Sequence, residues 1–181
     1  KGGEDTHSPT GTGFYSCKFS IPEKTATEAK DHGDMDWIEM RYAEVLLNLA
    51  ECAAEVGNKS DEVYTILKDI RKRAGITANA DGLYGLKANM SQQELIDAVL
   101  YERRIELAFE EHRYWDIRRW RLAEQVYAQP IQGMYITKSQ TSTTYVPQAV
   151  LNVQWDNKRY FYPIPYSEVI KNKNMVQNPN W

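Results

Sequence analysis

Between residues 37 and 75 apolar side chains recur every three or four positions in two blocks joined by only a few residues, and this pattern constrains the fold more than any other feature. In the first block Ile38, Tyr42, Val45, Leu49, Cys52 and Val56 project onto one stripe of a helix that starts around Asp34, with Arg41, Glu44, Asn48, Glu51 and Glu55 opposite. Ala43, Ala50 and Ala54 flank that stripe and leave room for a neighbouring helix. Gly57 is placed to end the helix, and Ser60 to cap a second one striped by Val63, Ile66, Leu67, Ile70 and Ala74 and closed by Gly75. Two helices joined by a loop of roughly three residues pack antiparallel, as a helical hairpin.

The rest of the chain is read as a single domain over residues 1–181, a length that buries about 70% of its unfolded surface. Residues 1–36 are a loop-rich opening with one short strand, GFYSCKFSI; 37–125 are helical; 126–163 hold a loop and a β-hairpin; 164–181 form an extended strap with a helical turn near Ser167 to Ile170. Residues 76–90 are a loop, and SQQE at Ser91 to Glu94 is a capping box that opens a third helix running to Glu110. A break follows near His112, then a shorter helix over Trp115 to Gln125. Downstream, MYIT, TTYVPQAVLNVQW and RYFYPIP read as strands, with Asp156-Asn157 as the hairpin turn.

A formal net charge of -3 provides no basic field for nucleic acid. No apolar run approaches the ~20 residues of a membrane span, and KGGEDTHSP has no signal-peptide pattern. Two cysteines, Cys17 and Cys52, make no disulfide framework, and Cys52 is expected as a buried thiol on its apolar stripe. His7, His32 and His112 are far apart and no HExxH or ExxH occurs, so no metal site is expected. GxSxG, GxGxxG and GxxxxGK[ST] are missing as well, so neither a cofactor nor an enzyme is expected.

The stretch ERRIELAFEEHRYWDIRRW, Glu102 to Trp120, carries ten formally charged residues. On the third helix Glu102, Glu106, Glu110 and Arg103 project into the apolar arc. Three carboxylates at spacings of four repel one another unless cations answer them, and Arg103, Arg113, Arg118, Arg119 and Arg121 are the available partners. The expectation is a structural network of Glu102, Arg103, Glu106, Glu110, Arg113, Asp116, Arg118 and Arg119. The competing reading, a glycosidase using Glu102 or Glu106, needs a carboxyl with a raised pKa, which so many arginines oppose. Trp37, Trp115 and Trp120 read as core residues or as cation–π partners of Arg113 and Arg118.

WIEMRYAEVLLNLAECAAEVG, YERRIELAFEEHRYWDIRRW and RYFYPIPYSEVIKNKNMVQNPNW, in that order and spacing, resemble the C-terminal part of the SusD/RagB family, as does TGTGFYSCKFSIPEK. The resemblance implies a mainly α, tetratricopeptide-like superhelical fold with a small β-hairpin and a C-terminal strap. It also implies a surface-exposed lipoprotein of the bacterial outer membrane, held by a lipid anchor outside this chain. Such a protein binds glycan without catalysis and passes it to a TonB-dependent transporter of SusC type. Sugar rings stack on flat aromatic faces beside polar groups, so the candidate ligand residues are loop aromatics: Trp155 and Tyr84 first, then Tyr135 and Tyr145. A tetratricopeptide-like scaffold binding a peptide or protein in its helical groove is the alternative.

Overall fold

The computed structural model describes residues 10–19 and 36–181. They form two compact units, one of residues 36–113 and one of residues 10–19 with 114–181. Expectations for His7, His32, Asp34 and the end of the opening strand at Ser20 and Ile21 lie outside the described residues.

The first unit is built on three helices: α1 (Tyr42–Val56), α2 (Ser60–Arg73) and α3 (Gln92–Glu106). Gly57 ends α1 at φ 81°, and its N–H bonds the Ala54 carbonyl at 3.1 Å. The Gln92 side-chain amide then donates to the Ala54 and Glu55 carbonyls at 3.1 and 2.8 Å, so the start of α3 satisfies orphan carbonyls at the end of α1. That contact makes α3 antiparallel to α1 and parallel to α2. The starts of α1 and the ends of α2 and α3 therefore share one end of the unit.

The core joins Leu47, Ala50, Ala53 and Ala54 of α1 to Val63, Ile66, Leu67 and Ile70 of α2 and to Leu95 and Val99 of α3, with Leu86 and Leu107. This corrects the expected face of α1. Tyr42, Val45, Leu49 and Val56 are exposed, and Cys52 is an exposed thiol rather than a buried one. The alanine flank faces inward because methyl-sized side chains let the helix backbones approach and fill space without voids. Helical periodicity alone does not rank two apolar arcs of one helix.

Local signals mostly act as expected. Ser91 forms the full capping box: its Oγ accepts from the Glu94 N–H at 3.4 Å, and Glu94 Oε2 accepts from the Ser91 N–H at 2.9 Å. Lys87, whose ammonium bonds the same carboxylate, and then Ser91 pull the Glu94 pKa down from 4.5 to about 2. Ser60 is the first residue of α2 rather than its cap, and Lys59 in the cap position supplies no side-chain bond. The 76–90 loop is pinned by Tyr64, whose hydroxyl donates to the Lys87 carbonyl at 2.6 Å and accepts from the Met90 N–H at 2.9 Å.

The third helix ends earlier than expected. After Glu106 the chain turns through Phe109 and Glu111, both left-handed at φ 62° and 65°. Downstream, in place of one helix over Trp115 to Gln125, α4 (His112–Arg119) and α5 (Ala123–Tyr127) are split by Arg121 at φ 58°.

In the second unit β1 (Ile131–Lys138) and β2 (Thr143–Leu151) pair antiparallel, Met134 against Pro147 and Thr137 against Thr144, with a bulge at Ile131/Gln132. The hairpin turn is at 139–142, where the Ser139 N–H and Oγ bond the Ser142 carbonyl at 2.8 and 3.1 Å. Asp156-Asn157 is not the hairpin turn: Asp156 Oδ1 accepts from the Lys158 N–H at 3.1 Å and opens a 3-10 turn, Asn157–Tyr160. A side-chain acceptor at that spacing competes with strand pairing, and RYFYPIP forms no strand.

The opening residues 13–19 form no strand either. They are tied to the hairpin where the Met134 N–H bonds the Thr12 carbonyl at 2.8 Å. The C-terminal strap contains α6 (Tyr166–Lys171), the expected helical turn. It folds back so that the Gln177 amide bonds both the N–H and the carbonyl of Ile164 at 2.8 Å, and Asn178 bonds the Tyr162 carbonyl at 2.6 Å.

Candidate functional site

The charged face of α3, continued by Glu110 in the turn after it, meets arginines from the helical hairpin. Glu102 Oε2 accepts from Arg71 Nε at 2.8 Å, and Arg71 Nη2 lies 2.8 Å from the same oxygen. Glu106 Oε1 accepts from Arg41 Nη1 at 2.6 Å and also from Arg73. Glu110 takes Arg41 in a bidentate fork, Nε to Oε2 at 2.6 Å and Nη2 to Oε1 at 2.8 Å. The Glu110 carboxylate, followed by Glu106, raises the pKa of Arg41. Arg41, Arg71 and Arg73 are partners the sequence reading did not include; the helix directions gather these arginines at the end where α3 finishes.

Among the remaining members, Arg103 Nη1 donates to Asn48 Oδ1 at 2.6 Å, and Arg119 Nε donates to the buried Asp116 at 2.9 Å. His112 Nε2 lies 3.5 Å from Glu44. Glu102 and Glu106 accept from guanidinium groups, and a proton donor for a glycosidic oxygen has to be a protonated carboxyl facing substrate. Their geometry is that of a brace. Among the described residues no cluster of three or more potential metal ligands occurs, and no helix is long and apolar enough to cross a membrane.

The aromatic arrangement lies in the second unit, around Trp155. Tyr127 stacks on its indole at 5.4 Å and 27°, Tyr160 meets it edge-on at 5.0 Å, and Arg118 lies over it at 5.2 Å. The indole N–H donates to Asn157 Oδ1 at 3.0 Å. Trp155 and Tyr127 then form the aromatic wall of an open groove of about 440 Å³, whose other walls include Glu124, Asn152, Gln154 and Asn157. Flat rings next to amide and carboxylate groups are the combination that a sugar ring requires: apolar C–H faces on one side, hydroxyls on the other.

The other candidates do not converge on this groove. Tyr84 belongs to the first unit, half-buried, with φ 53° and its carbonyl held by Arg71 Nη1 at 3.1 Å. Tyr135 and Tyr145 are exposed on the hairpin, but Tyr135 pairs with Val146 and Tyr145 with Ile136, which puts them on opposite faces. The cation–π expectation is also corrected: Arg118 stacks on Tyr114 at 3.4 Å and on Trp155, while Trp120 lies under Arg119 at 4.3 Å. Trp115 meets Tyr114 edge-on at 5.0 Å instead.

Sequence reasoning missed Tyr127, Tyr160, Asn152 and Gln154 as parts of the Trp155 site. The Asn- and Asp-rich surroundings of QWDNK identify the loop, but nothing local shows that Tyr127 ends a five-residue helix directly against it.

A helical unit with a capped hairpin and a short antiparallel β-ribbon define a mainly α fold. The chain belongs to the SusD family, whose pattern it matches over residues 4–181. It is 32% identical over 143 residues to SusD-like protein P2 of Formosa agariphila, covering 79% of this chain and 25% of that protein. It is also 32% identical over 102 residues to SusD-like protein P38 of the same organism, covering 56% of this chain and 20% of that one. A crystal structure of a SusD-like protein from Bacteroides fragilis superposes with a TM-score of 0.65 at 27% identity, over 80% of this chain and 26% of that one. The chain therefore spans about a quarter of the length of these relatives. SusD-like proteins are in general glycan-binding proteins of the outer membrane.

Proposed function

We propose that this chain is part of a non-catalytic glycan-binding protein at the bacterial outer-membrane surface, which delivers oligosaccharide to a SusC-like TonB-dependent transporter. The observation that carries the reading is the Tyr127–Trp155 stack walling a groove lined by Asn152, Gln154 and Asn157. Family membership supports the outer-membrane setting. Trp155 is the leading ligand residue, Tyr84 the second, and Tyr135 and Tyr145 the weaker candidates because the register separates their faces.

Affinity electrophoresis through gels containing plant, mucin and microbial polysaccharides tests this directly. Retardation by at least one polysaccharide, reduced in Trp155→Ala, is the expected result. Unchanged migration of the unsubstituted chain across the panel would defeat the proposal and favour the peptide-binding alternative.

A further inference from the structure

A second groove in the unit of residues 114–181 has a different chemistry. It encloses about 380 Å³ and is lined by Arg118, Arg119 and Arg121 together with Trp115 and the aromatic run Tyr160 to Tyr162. Three guanidinium groups in so small a space repel one another unless negative charge answers them. Arg119 has Asp116. Arg121 forms no ion pair with a described residue and lies over the rings of Tyr160 at 4.6 Å and Phe161 at 5.1 Å. Arg118 donates through Nη1 to the Tyr114 carbonyl at 2.8 Å, while its buried Nε has no hydrogen-bond partner among the described residues.

Stacking fixes the plane of a guanidinium without using its N–H groups, which point outward along its edges and match the oxygens of a carboxylate or sulfate. The neighbouring rings provide faces for the apolar side of a sugar. A plain hydrophobic groove would not hold three cations, and a phosphate-only site would not need the aromatic walls.

We infer that this groove is a subsite for an anionic sugar, a residue carrying a carboxylate or sulfate, with Arg118 and Arg121 on the anion and the Trp115 and Phe161 rings against the sugar. The inference rests on the glycan-binding reading above and narrows it to acidic glycans.

The test is calorimetric titration of this chain with tetragalacturonate, a sulfated galactan tetrasaccharide and the neutral carboxyl-reduced form of the first. The chain is expected to bind at least one acidic tetrasaccharide at least tenfold more tightly than the neutral one, with affinity falling as salt rises. Arg121→Gln is expected to reduce the acidic-over-neutral preference at least fivefold; the salt dependence of the unsubstituted chain gives the same answer should this variant fail to fold. The two acidic ligands distinguish a carboxylate from a sulfate site. Equal affinity for neutral and acidic ligands, or a salt-independent preference, overturns the acidic subsite and leaves glycan binding intact. Binding of none of the three here, with retardation by a neutral polysaccharide in the gel assay, also overturns it; failure in both assays overturns both readings.

Discussion

Replacing Arg71 by Met should remove a large share of the stability of the helical unit. Both contacts of Arg71 with Glu102 are 2.8 Å, and the two side chains are only 16% and 10% exposed. Removing one partner of a buried pair costs about 3 to 5 kcal/mol, since the remaining charge keeps its desolvation penalty without its counter-ion. The slight exposure of Arg71 puts the expected value near the lower end, about 3 kcal/mol, or more than a hundredfold in the folding equilibrium. The Tyr84 carbonyl loses the Arg71 Nη1 bond as well, which adds about 1 kcal/mol. Adding Glu102→Leu should recover most of the loss, because no charge is then left buried. Urea unfolding followed by far-UV circular dichroism measures all three variants in one double-mutant cycle. A loss below about 1 kcal/mol for Arg71→Met, the range of a surface ion pair, would refute the buried-brace account, and so would a double variant as unstable as the single one.

Three further outcomes are expected. Glu94 titrates at about 2 in the folded chain against 4.5 when unperturbed, so its contribution is complete above pH 4.5 and is lost as pH falls toward 2; the stability gap between the parent and Glu94→Gln should close over that window, and a gap constant with pH would contradict the assignment. A Cβ at Gly133 would sit 2.9 Å from Thr12 Cα and O and from Val150 Cγ1, so Gly133→Ala should speed amide exchange at Met134, whose N–H bonds Thr12; unaltered exchange would show that the opening segment yields without cost. Truncation after Val176 removes the Gln177 and Asn178 bonds and that of the Trp181 indole to the Lys158 carbonyl at 3.0 Å; the melting temperature should fall by several degrees, and an unchanged value would mean the strap contributes nothing.

What was legible in the sequence followed from short-range physics. Gly57 and the Ser91 capping box each depend on residues within one turn, and both occur where their signals stand, whereas α1 begins only at Tyr42 and Ser60 lies inside α2 rather than capping it. The inward projection of Glu102 and Glu106 was legible too, since helical angle alone decides it, whereas Glu110 lies in the turn beyond the helix. Their partners were not: Arg41 is 65 to 69 residues away and Arg71 is 31 away, and only the directions of packed helices bring them together. The buried face of α1 was misread because the projection was centred on Tyr42, Val45 and Leu49, while the core takes Leu47 together with Ala50, Ala53 and Ala54, whose small side chains let the helices approach. The Trp155 loop was found by composition, whereas Tyr127 required the tertiary structure.

The central claim is that Trp155 lines the sugar groove, and titration of the chain with oligosaccharide while the tryptophan indole N–H resonances are followed by NMR tests it most directly. Trp155→Phe assigns the relevant signal among the five tryptophans. The account predicts that the Trp155 resonance shifts saturably with ligand, because its N–H bonds Asn157 in the groove wall. A saturable shift confined to other indoles, with Trp155 unmoved, would contradict it.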